Sequence, residues 1–128
     1  MPLGLKKALR GGFEAALAQV PEALKAEGFG VLTEIDVADT LKRKLDVDFR
    51  RYRILGACNP ALAREALEAN LDVGVMLPCN VIVYEDDGHA VVVAVDPMQN
   101  PAAREDPRVR KVAETVRVKL GCVLAHLE

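Results

Sequence analysis

The chain has 128 residues, enough for one domain that buries roughly 65% of its extended-chain surface around a single core. Its 17 basic and 19 acidic residues leave a net charge of −2, which disfavours general nucleic-acid binding. Serine and tryptophan are absent, so serine-nucleophile chemistry is excluded, and three cysteines without C-x-x-C spacing argue against a disulfide framework. The opening Met1 to Lys7 lacks the apolar run of an export signal, and no stretch approaches the ~20 apolar residues that span a bilayer. A cytoplasmic address with reduced thiols is therefore expected, away from membranes.

In chain order, Leu3 to Leu9 fits alternation and a helix equally well. Phe13, Leu17, Val20 and Leu24 form one helical stripe, Gly28 supplies a stop, and Pro21 predicts a kink or the start of a second half. Gly30 to Ile35 reads as a strand, and Asp36 with Asp39 caps a short helix over 37–45. In a strand over 52–58, Tyr52, Ile54, Gly56 and Cys58 share one face while Arg53, Leu55 and Ala57 share the other. Asn59 as N-cap and Pro60 as first residue predict a helix to about Asn70. Residues 72–74 read as irregular, followed by a hairpin of strands 79–85 and 90–96 around Asp86-Asp87-Gly88-His89. A loop over 96–104 leads to Asp106-Pro107 and a terminal helix striped by Val109, Val112, Val116, Leu120, Val123 and Leu127.

This order predicts an α+β fold: a mainly antiparallel sheet of about five strands packed by helices, with the C-terminal hairpin followed by a long terminal helix. Both faces of the hairpin are apolar, Val81 and Val83 on one side and Ile82 and Tyr84 on the other. The second face must meet further helices or another subunit, and a homodimer is expected.

Three segments carry a family resemblance: Glu27 to Asp36, Tyr52 to Pro60, and Leu77 to Glu85 with its Leu77-Pro78-Cys79-Asn80 start. Together they resemble the uncharacterised bacterial and archaeal domain-of-unknown-function family 302, over essentially the whole chain. The resemblance implies a compact α+β fold of the TATA-binding-protein-like class, an N-terminal strand at Leu3 to Leu9, and a dimer. It brings no reaction or ligand, and fold analogy to a DNA binder transfers no function. Cys58, Asn59, Pro60, Pro78, Cys79 and Asn80 fall in the family pattern, whereas Cys122 lies outside it.

Cys58 closes a strand beside a helix N-terminus, where free amide donors favour a thiolate, and its structural alternative is a small buried side chain at the junction. Cys79 opens a strand in Val-Ile-Val company. If those two strands run parallel, the thiols lie about 20 Å apart; if antiparallel, they share an end. No disulfide reaches beyond about 7 Å between Cα atoms. His89 and His126 stand at no ligand spacing from a cysteine, so no metal site or cofactor is expected, apart from a soft metal held by the two thiolates. Asp96 either joins a site at the strand edge or serves an Asp-Pro turn. Lys42, Arg43, Lys44, Arg50, Arg51 and Arg53 form a basic cluster that holds an anion or is a solvated face.

The first functional expectation is a non-catalytic dimer that binds a small ligand or a partner, in a groove floored by the hairpin and edged by Cys58, Asn59 and Asn80, with Asp96 and Arg53 as further ligand-binding candidates. The alternative is thiol redox or sulfur handling by Cys58 with Cys79.

Overall fold

The structure is a computed structural model that describes residues 3–128. Five strands, β1 (Gly4–Ala8), β2 (Gly30–Asp36), β3 (Tyr52–Cys58), β4 (Cys79–Asp86) and β5 (His89–Val95), form one antiparallel sheet in the order β1-β5-β4-β3-β2. Five helices accompany it: α1 (Phe13–Ala26), α2 (Val37–Leu45), α3 (Pro60–Ala69), α4 (Pro101–Glu105) and α5 (Pro107–Ala125). The α+β expectation holds, including the closing hairpin and the 19-residue terminal helix.

The side-chain period sorts the sheet into two faces. Register pairs Leu55 with Val81 and Ala57 with Cys79 across β3 and β4, and Val81 with Ala94 and Val83 with Val92 across β4 and β5. This face is sealed by the stripes of α1 (Phe13, Ala16, Val20, Leu24) and α5 (Val109, Val112, Val116, Leu120, Val123). Leu24, Leu55, Leu120 and Val81 are almost fully buried, and burial stabilises by about 1.5–3 kcal/mol for each such side chain. The opposite face carries Tyr52, Ile54, Ile82, Tyr84 and Val93, all only half-buried.

Leu3 to Leu9 is settled as strand β1, paired with β5. Lys7 fastens it to the helical layer: its Nζ donates to the carbonyls of Leu124 (3.0 Å) and Leu127 (2.6 Å), at and just past the C-terminal end of α5. Helix α1 continues across Pro21 as a single element rather than starting anew there, and Gly28 follows it at φ +87°. The hairpin turn sets both Asp87 and Gly88 at positive φ, as a two-residue turn matching strand twist requires.

Two segments are more regular than expected. Residues 71–76 form a 3-10 turn, and the supposed loop over 96–104 holds a second 3-10 turn (Pro97–Gln99) and α4. Asn70 caps the first, accepting the Asp72 N–H at 3.0 Å; in the second the cause is a device repeated at the start of α5, in which Asp96-Pro97, Asn100-Pro101 and Asp106-Pro107 each place an acceptor side chain before a helix-ready proline. The backbone N–H two residues on then donates to that side chain, at 3.0, 2.9 and 2.9 Å.

Candidate functional site

A cavity of about 300 Å³ opens between the end of the sheet and α5, under the two 3-10 turns. Its walls are mostly hydrocarbon, from Val73, Met76, Leu77, Val95, Val109 and Val116. Polar atoms reach it from Cys79, Asp96, Gln99 and Asn100. The volume lies at the small end of ligand sites, and a few polar groups in an apolar wall are what such sites need for orientation.

Asp96 is the most constrained of these polar groups, with a side chain only 13% exposed. The Met98 N–H donates to its Oδ1 (3.0 Å), and the Arg117 Nε–H donates to its Oδ2 (3.2 Å). Arg117 reaches in from the solvent side of α5. The Asp-Pro turn therefore accounts for one carboxylate oxygen, and the cavity wall for the placement of the whole group.

Cys79 lines this cavity and also a second one of about 40 Å³, which it shares with Phe29, Cys58, Asn59, Leu62 and Leu77. The antiparallel register decides the geometry left open by the sequence: Cys79 opposes Ala57, so Cys58 and Cys79 share one end of the sheet. All three cysteines are free and half-buried. Burial, joined by the charge of the neighbouring Cys58, pushes the Cys79 thiol from its ordinary 9.0 up to about 11. At neutral pH Cys79 is a thiol, not a nucleophile.

The remaining candidates stand apart from the larger cavity. Asn59 caps α3, accepting the Leu62 N–H at 3.4 Å. Asn80 is exposed on the open face of the sheet. Arg53 is held by Glu34 and Asp36, each at 3.2 Å. Within the basic cluster, Lys42, Arg43, Arg50 and Arg51 are likewise matched by carboxylates. Among the described residues no three His, Cys, Asp or Glu side chains group as metal ligands, and no helix is long and apolar enough to cross a membrane.

Met76, Gln99, Asn100 and Val109 belong to the cavity without having stood out in the sequence. Val109 was visible only as part of a core stripe, and Asn100 only as one residue of a loop. The repeated Asx-Pro dipeptides are the signal that marks this region as built structure.

No curated protein matches the chain. The domain of unknown function DUF302 matches residues 5–127. A crystal structure of an uncharacterized conserved DUF302 protein from Bacillus stearothermophilus superposes with a TM-score of 0.91 at 29% identity, covering 100% of both chains.

Proposed function

The chain belongs to the DUF302 family, and from that premise together with its cavity we propose that it is a non-catalytic, cytoplasmic small-molecule binding protein that works as a homodimer. The observation that carries the binding reading is the 300 Å³ apolar cavity edged by the nearly buried Asp96. It lies on the helical side of the sheet, not in the hairpin groove suggested by Cys58, Asn59 and Asn80. A panel of small fragments followed by amide chemical shifts or thermal midpoint is expected to give hits that disappear in Ala113→Leu, since Ala113 of α5 also lines the cavity and a larger side chain there fills it. A panel without hits, or hits indifferent to that substitution, removes the reading.

Pairing is supported by what one molecule leaves unburied. No residue from Gly30 to Ile54 is buried, although this stretch holds Val31, Leu32, Ile35, Leu45, Val47 and Phe49 among the exposed large hydrophobics. Beside it lies the half-buried apolar face of Ile54, Ile82, Tyr84 and Val93, with Lys6 at its far edge and Asp86 at its hairpin end as charged groups. A five-strand face is roughly 20 Å on a side, about 400 Å² of footprint, and the 30–50 arm takes it toward the ~800 Å² per partner of a stable interface. Two complementary apolar surfaces on one chain suit a reciprocal, twofold contact.

Thiol chemistry is the second reading, favoured by the shared sheet end of Cys58 and Cys79 and opposed by the raised Cys79 thiol. Soft-metal binding by the same two sulfurs meets the same opposition, because metal ligation needs thiolates.

A further inference from the structure

The charge state of the ligand follows from how Asp96 is held, an inference that rests on the binding reading above. We propose that the cavity takes an uncharged, largely hydrocarbon molecule of about ten non-hydrogen atoms that carries one hydroxyl or amide donor directed at Asp96. The size follows from filling about 300 Å³ at liquid-like density. The body follows from the wall, where Val73, Met76, Val109 and Val116 offer only dispersion contacts.

The donor follows from lone-pair counting. A carboxylate accepts at about four positions, and Asp96 has two committed, one to Met98 N–H and one to Arg117 Nε–H. Acceptor capacity remains on a group 13% exposed that borders the cavity. An O–H or amide N–H supplies a donor without displacing either existing partner.

A charge of either sign is penalised there. An ammonium would compete with Arg117, which already sits 3.2 Å from Oδ2 and balances the carboxylate. A carboxylate ligand would face the Asp96 charge directly. Either ion would also leave water for a wall whose described residues include no other ionised group, which costs more than burying a neutral head group.

The experiment compares three probes with one hydrocarbon body, 1-octanol, octanoate and octylammonium, titrated into the protein at neutral pH and read by amide chemical shifts. The expected result is 1-octanol bound at least tenfold more tightly than either ion, with shifts at Val109, Ala113 and Asn100. Asp96→Asn keeps the side-chain acceptor that caps the turn and removes the negative charge, so octanoate is expected to gain on 1-octanol in that variant. An ion that binds as tightly as the alcohol, or an octanoate-to-octanol ratio unchanged in Asp96→Asn, overturns the proposal while leaving a binding cavity in place. If none of the three probes binds, the proposal falls, while the binding reading stands or falls on the fragment panel.

Discussion

At the scale of single residues, Cys79 shows how a position can look reactive in sequence and be quiet in the fold. It opens a strand next to another thiol, but the same packing that brings Cys58 near also removes the water a thiolate needs. The shift has a consequence for stability. Below the ordinary value of 9.0 the thiol is protonated in both folded and unfolded chains, so it contributes no pH dependence. Between 9.0 and about 11 the unfolded chain releases the proton and the folded one keeps it, so the fold loses stability as pH rises through that window. The loss is on the order of 1–2 kcal/mol after allowance for partial solvent access. Urea midpoints at pH 8 and pH 10.5 are expected to fall further for the wild type than for Cys79→Val, and equal falls refute the assignment. Alkylation in the same series bears on the thiol reading: Cys58 reacting no faster than an ordinary exposed cysteine at neutral pH removes it.

At the scale of elements, α2 is the one that sequence rules locate well and monomer packing does not explain. Its N-terminus is capped as the sequence predicts, the Asp39 N–H donating to Asp36 Oδ1 at 3.0 Å, and its last turn is basic. Yet its 9 residues include none that is buried, and helices this short draw most of their stability from packing. Asp36→Ala is expected to cost about 1 kcal/mol locally, seen as faster hydrogen exchange in α2 with little change in α5. Equal effects on both helices would show that α2 is already part of the cooperative core. Most of the fold was legible in this way. The stripes of α1 and α5, the Asn59-Pro60 start of α3 and the Asp-Gly hairpin are local signals, set by side-chain period and capping chemistry. Asp96 and Cys79 were legible as polar residues at strand ends, but the cavity joining them was not. It is assembled from Val73, Val95, Asn100 and Val109, which lie on four separate elements or turns, and no local pattern reports their meeting.

At the scale of the molecule, the helices cover one face of the sheet and leave the other to Tyr52, Ile54, Ile82, Tyr84 and Val93. Tyr52 and Tyr84, directly opposite in register, stack with ring centroids 5.6 Å apart, and Phe49 joins them at 6.3 Å from Tyr52. This aromatic corner connects the open face to the unburied arm. Phe49→Glu places a charge there and is expected to yield a monomer by light scattering, with the urea midpoint lowered at concentrations where the wild type pairs. A wild type that is monomeric at hundreds of micromolar removes the pairing proposal, as does a Phe49→Glu variant that remains a dimer.

The pairing of β1 with β5, reinforced by Lys7 on the carbonyls of Leu124 and Leu127, links segments over 80 residues apart. A nascent chain leaving the ribosome must therefore hold its first strand idle until nearly all the rest has emerged, since neither the neighbour it needs nor the helix that clasps it yet exists. During that wait β1 has a vacant hydrogen-bonding rim on both sides, and its short length and two lysines keep this interval from seeding aggregation.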